Sequence, residues 1–173
     1  MGADREIKPE NMDTEKSVYG IAIDIGTTTL AAELISITDG TCLTTASSVN
    51  HQRAYGADVI SRIRAASSGD AEKLRESILK DVRDLAETLL AGQDQNVLNV
   101  SKIVIAGNTT MIHLLLGYSC VGLGTAPFTP VNLAPEDMTW GELNGEYEET
   151  RESGVAKESG AARDGSDARE HGY

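Results

Sequence analysis

Cysteine, aromatic residues and proline are all scarce in this chain, and its bases are outnumbered by its acids. Its 173 residues include two cysteines, four prolines and one tryptophan, and aromatic residues make up 4%. Cys42 and Cys120 are too few for a zinc site built on thiolates or for an iron–sulfur cluster held by four of them. Each reads instead as a buried free thiol in apolar or small-residue surroundings. No apolar run approaches the roughly 20 residues that span a bilayer, and residues 1–16 lack the apolar stretch of a signal peptide. The chain therefore reads as cytoplasmic, with no membrane partner. Fifteen bases against 27 acids give a formal net charge of −12, which argues against the basic stripe of a nucleic-acid binder.

The charge is uneven. Residues 1–17 hold five acids and three bases with almost no large apolar residue, and residues 136–173 hold eleven acids and four bases. Residues 18–135 are left nearly neutral, with 11 acids and eight bases. This partition predicts a polar N-terminal extension (1–17), one folded lobe (18–135) and an acidic, low-complexity tail (136–173). The tail has too few large apolar residues to offset an ordering entropy of about 1–2 kcal/mol per residue, which predicts disorder.

Within the lobe, Tyr19–Ile25, Leu30–Ile37 and Cys42–Val49 read as three strands. Tight connections, including the turn signal Asp39-Gly40, make them an antiparallel meander. The period then changes. Ala57–Ala66 places Val59, Ile60 and Ile63 on one helical face, and Asp58 suits the positive end of that helix. Asp70 is placed to cap a second helix, in which Leu74, Ile78, Val82, Leu85 and Leu89 recur at helical spacing and Gly92 marks the stop. This helix should be about 30 Å long. Lys102–Ala106 reads as a buried strand. Gly107-Asn108-Thr109-Thr110 then supplies turn and cap, with Thr109 or Thr110 as N-cap, before a short helix Met111–Leu116 closed by Gly117. Prolines 127, 130 and 135 make the remainder an extended loop. The order is β-β-β-α-α-β-α, an α/β layer architecture in which a closed five-stranded sheet would lack a strand.

Two loops carry possible chemistry. In Asp24-Ile25-Gly26-Thr27-Thr28-Thr29, a carboxylate ends a strand beside a glycine and three hydroxyls. Glycine lets backbone approach a ligand closely, and consecutive N–H groups in a turn favour an anion. Asp24 repels phosphate unless a divalent cation, most simply Mg²⁺, lies between them. This assignment requires amides free to meet an anion; amides turned inward onto carbonyls would exclude it. Gly107-Asn108-Thr109-Thr110 offers a helix N-terminus, which also favours anions. His113 suits packing better than catalysis. His51 and Arg53 could line a cleft mouth, although a loop leading into a helix explains them equally well.

These residues resemble a known family. The segment Asp24–Thr29 looks like the first phosphate motif of the actin, sugar kinase and heat-shock chaperone superfamily. Three stretches together resemble the ATPase domain of the reductive activators of corrinoid proteins: Gly20–Thr29, Asn50 with Tyr55–Ile63, and Gly107–Met111 with His113–Gly117. Ala126–Val131 also fits. The resemblance implies a ribonuclease-H-like, actin-like ATPase lobe that helps to return an inactive Co(II) corrinoid to Co(I). ATP and Mg²⁺ would be its cofactors, and a corrinoid protein and a ferredoxin-type electron donor its partners. It further implies phosphate contacts from Gly26, Thr27, Thr28 and Thr29, Mg²⁺ and water organised by Asp24, and Asn108 and Thr109 near the phosphates.

The departures are equally specific. No cysteine-rich segment exists for an iron–sulfur cluster. The remaining Asp-Gly pairs are Asp39-Gly40 and Asp164-Gly165, and Gly-Gly is absent, so the second phosphate loop and the adenosine loop of the superfamily have no counterpart. The pattern is that of a first lobe, truncated near residue 135 and inactive without a second lobe. The alternative is a non-catalytic fragment, or a lobe of another kinase or ATPase of the superfamily.

Overall fold

A computed structural model of the chain describes residues 18–93, 99–138 and 140–143. The chain divides into two units, residues 1–135 and 136–173. The N-terminal extension and most of the acidic tail expected from the sequence lie outside the described residues. In the second unit the described residues include one short helical turn, Trp140–Leu143.

The first unit is a mixed α/β structure around a four-stranded sheet in the order β3-β2-β1-β4. Strands β1 (Val18–Ile25), β2 (Thr29–Ser36) and β3 (Cys42–Val49) form the antiparallel meander, and β4 (Asn99–Gly107) pairs parallel with β1. Alternation decides which face is covered. Ile21, Ile23 and Ile25 of β1 and Leu30, Ala32 and Leu34 of β2 are buried on one face. Asp24 and its ladder partners Ala31 and Ala106 are exposed on the other.

Helix α1 (Val59–Ala65) leads through a wide turn, Ala66–Asp70, into α2 (Ala71–Leu90). Leu74, Ile78, Val82, Leu85 and Leu89 are all buried, as their spacing predicts. Asp70, expected to cap α2, makes no side-chain cap bond and pairs with Lys73 at 2.8 Å instead. The helix tolerates this loss. A cap is worth about 1 kcal/mol, whereas each buried Leu, Ile or Val contributes about 1.5–3 kcal/mol. Helix α3 (Thr109–Leu116) buries Met111, Leu114 and Leu115 and is closed by Gly117.

Four further expectations change. Ile60, assigned to the buried face of α1, is 48% exposed, while Arg62 is fully buried. The Lys102–Ala106 strand is the sheet's edge: Val104 is 54% exposed, because one face of β4 is uncovered. The N-cap of α3 is Asn108 rather than Thr109 or Thr110, its side chain accepting the Met111 N–H at 3.1 Å. Cys120 is buried as expected, and burial pushes its thiol pKa up, but Cys42 is exposed on β3.

Candidate phosphate-binding site

Parallel pairing ends β1 and β4 at the same border of the sheet, with Ile25 opposite Gly107. The Asp24–Thr29 and Gly107–Thr110 loops therefore meet. Asn108 Nδ2 donates to Thr27 Oγ1 at 3.2 Å. Both glycines are required by proximity: a side chain at Gly26 would meet the Thr29 carbonyl oxygen at 2.6 Å, and one at Gly107 the Ile25 carbonyl oxygen at 3.0 Å.

The orientation of the first loop is set from beneath. The Gly26 N–H is used within the turn, donating to Thr29 O at 3.0 Å. The carbonyls of Gly26, Thr27 and Thr28 are all claimed from the protein side. Asn50 Nδ2 donates to Gly26 O at 2.9 Å, Arg62 Nη2 to Thr27 O at 2.6 Å, and the Asn50 backbone N–H to Thr28 O at 2.9 Å. In a trans peptide the N–H points opposite to the carbonyl, and these bonds are trans. The N–H groups of Thr27 and Thr28 thus point away from Asn50 and Arg62, and neither has an acceptor among the described residues.

Asn50 and Arg62 belong to one buried network. Asn50 Oδ1 accepts the Gln52 N–H at 3.0 Å, and Gln52 Nε2 donates to Leu74 O at 2.9 Å. Arg62 Nε donates to Gly56 O at 3.0 Å, and its Nη1 to Gln52 Oε1 at 3.3 Å and Met111 Sδ at 3.2 Å. Every acceptor of this guanidinium is neutral. Burial pulls its pKa below the ordinary arginine value, opposed by the charge of Asp58. Asp58 is itself committed to capping α1, its carboxylate accepting the Ser61 N–H at 2.8 Å. That N–H and the Ser61 hydroxyl hold the Asp58 pKa below the usual aspartate value.

The other candidates separate clearly. Asp24 is exposed on the open sheet face between Ala31 and Ala106. Thr28, Thr29 and Thr109 are exposed, and Thr27 is half-buried. His113 is buried, with both ring nitrogens in use: Nε2 accepts the Val131 N–H at 3.0 Å, so Nδ1 carries the proton and donates to Thr109 O at 2.8 Å. It is a packing residue that pins α3 to the following loop. His51 is largely exposed but tethered by the buried Asp81, which accepts from its ring Nδ1 at 2.6 Å and its backbone N–H at 2.8 Å. Among the described residues no three His, Cys, Asp or Glu side chains converge to hold a metal ion, and no helix is long and apolar enough to cross a membrane.

Reading the sequence missed Arg62 and Asn50 as supports of the loop. The signal for Arg62 is its position three residues after Val59 and beside Ile63, within the stripe that faces the protein.

This arrangement of loops on an α/β sheet goes with a matching sequence pattern: residues 19–155 match the family described as the RACo middle region, and the chain belongs to that family. The match continues past residue 135, into the acidic segment. A curated relative, the corrinoid activation enzyme RamQ of Eubacterium limosum, is 38% identical over 122 residues, which cover 69% of this chain and 20% of RamQ. A solved structure described as a reductive activator for corrinoid, iron–sulfur protein matches with a TM-score of 0.64 at 38% identity, covering 70% of this chain and 20% of that one. The chain thus corresponds to about a fifth of the length of each of these relatives.

Proposed function

We propose that this chain is the ATP-phosphate-binding lobe of a reductive activator of corrinoid proteins, built on the ribonuclease-H-like plan of actin-type ATPases. The observation that carries the reading is the pair of outward N–H groups at Thr27 and Thr28, unpaired and backed by buried donors. Preorganised backbone donors bind an anion without having to break existing bonds first. Asn108, hydrogen-bonded to Thr27, brings the N-terminus of α3 to the same place, adding a favourable field. The resemblance supplies ATP as the owner of those phosphates, and the relatives' names supply corrinoid activation as the purpose.

Mg²⁺ suits this donor set, because it is commonly held by one or two carboxylates together with substrate phosphates and water. Asp24 is the carboxylate that would share it, directly or through water, and the ion would neutralise charge on the phosphates. Gly26 lets the turn close tightly, Thr27 and Thr28 present amides, and the Thr28, Thr29 and Thr109 hydroxyls are exposed for further contacts. We infer that adenosine contacts, the hydrolytic step and electron transfer from a ferredoxin-type centre fall to other parts of an assembly. Relatives about five times the length of the matched stretch have room for them. The chain alone then binds phosphate without useful turnover.

Calorimetric titration of the chain with ATP, with and without Mg²⁺, tests this. Mg²⁺-dependent binding is expected, and Asp24→Ala should abolish the metal dependence while leaving the fold intact. Asp24→Ala with unchanged Mg²⁺-dependent affinity refutes the role of Asp24, and no binding of ATP or tripolyphosphate refutes the phosphate site.

A further inference from the structure

Arg62 is a fully buried cation whose guanidinium bonds to no anion among the described residues, and the charge of the exposed Asp58 offsets its burial only in part. Its guanidinium donates to two backbone carbonyls, one amide oxygen and one thioether. Among the described residues no carboxylate pairs with it. Burying an uncompensated charge is expensive, and such charges are ordinarily paired or neutralised. An arginine does not neutralise itself by losing its proton near pH 7. What distinguishes Arg62 is where that charge is aimed. Nη2 is bonded to the Thr27 carbonyl at 2.6 Å, and the same peptide unit carries the Thr28 N–H on its far side. The peptide dipole therefore lies with its negative end on the guanidinium and its positive end facing outward. A hydrogen bond from a charged donor polarises that unit and strengthens the donor at its other end.

We propose that Arg62 is a positioning residue and buried counter-charge for the phosphate site, acting through the Thr27–Thr28 peptide so that affinity rises with the negative charge of the bound ligand. This deepens the phosphate-binding reading and rests on it. The ligand supplies the anion that the buried network lacks, and it does so without touching Arg62. Arg62 also fixes the loop, since releasing the Thr27 carbonyl would free that peptide to rotate and withdraw the Thr28 N–H. Lysine in its place would keep the charge but not the planar fork that reaches Gly56 O and Thr27 O together.

The test is a calorimetric series with orthophosphate, pyrophosphate and tripolyphosphate, at fixed ionic strength, on the unmutated chain, Arg62→Lys and Arg62→Met. For the unmutated chain, affinity is expected to rise along the series. In Arg62→Met the rise should flatten, with tripolyphosphate losing about tenfold or more, the scale of one unscreened charge acting across a peptide, and orthophosphate losing less. Arg62→Lys should restore part of the rise. A purely structural Arg62 lowers all three affinities by the same factor, and that result overturns the inference. Should Arg62→Met fail to fold, NMR of the unmutated chain decides: tripolyphosphate should shift the Arg62 Nε–H resonance together with the Thr27 and Thr28 amides. Amides that shift while Nε–H stays still overturn the inference alone, whereas no response from any of them overturns the phosphate site as well.

Discussion

The two loops that meet at the border of the sheet are built on opposite plans. In the β1–β2 loop the carbonyls are claimed by donors from elsewhere, Asn50 and Arg62, and the amides of Thr27 and Thr28 are left outward. In the β4–α3 loop, Asn108 uses its own side chain on the Met111 N–H. A ligand at the first loop displaces nothing; one reaching into the second competes with a cap already in place. A turn between two strands can thus present free amides when its reverse side is anchored in buried polar groups. That anchoring is what separates it from an ordinary glycine-containing hairpin.

Breaking the anchored plan should cost far more than breaking the self-capped one. Asn50→Ala removes the bond to Gly26 O and the acceptor of the Gln52 N–H inside the protein, and should cost about 2–4 kcal/mol in urea unfolding. A cost below about 1 kcal/mol would show that the loop holds its shape unaided. Met111→Leu conserves volume but deprives Asn50 and Arg62 of a thioether acceptor. Its expected cost is about 1–2 kcal/mol, more than the reverse exchange at Leu114, a buried side chain of the same helix with no polar atom to accept a hydrogen bond. Equal costs at the two positions would mean that the sulfur contacts contribute nothing. Asn108→Ala loses one cap and the link to Thr27, about 1 kcal/mol by thermal unfolding.

The smallest effect concerns acid. The pKa of Asp58 is lowered in the fold by the Ser61 N–H and hydroxyl. A depressed carboxylate pKa contributes stability at neutral pH that disappears as pH falls through the folded value, below the ordinary aspartate range. Asp58→Asn should therefore remove a small part of the acid destabilisation, seen as a shallower loss of thermal midpoint below pH 4. An unchanged pH profile would place the cap's contribution elsewhere.

Regular periodicity made the scaffold legible. The three-strand meander and the buried stripe of α2 follow from alternation and from spacings of three and four, because water imposes those patterns on any element with one covered face. The exposure of β4 could not be read in the same way: Ile103-Val104-Ile105 looks alike in a central strand and at an edge, and which applies depends on what lies alongside. The loop glycine and threonines stood out because turn chemistry is local. Their supports did not. Asn50 and Arg62 act across 24 and 35 residues of sequence, and a buried arginine contradicts the polarity by which interiors are recognised. At the cap of α3 the expectation of Thr109 or Thr110 passed over Asn108, because asparagine and threonine are both competent caps and only backbone geometry selects among them.

The bulge in the β1–β4 ladder has a consequence for how this lobe tolerates change. Tyr19 pairs with Val100 but Gly20 with Lys102, so Ser101 is the extra residue, and from there the ladder runs unbroken to Ile25 and Gly107. A mismatch in strand length is absorbed at the end of the pair remote from the loops. A change of one residue just before Ser101 would fall at that bulge, leaving the paired stretch that keeps Thr27 and Asn108, 81 residues apart in the chain, level with one another.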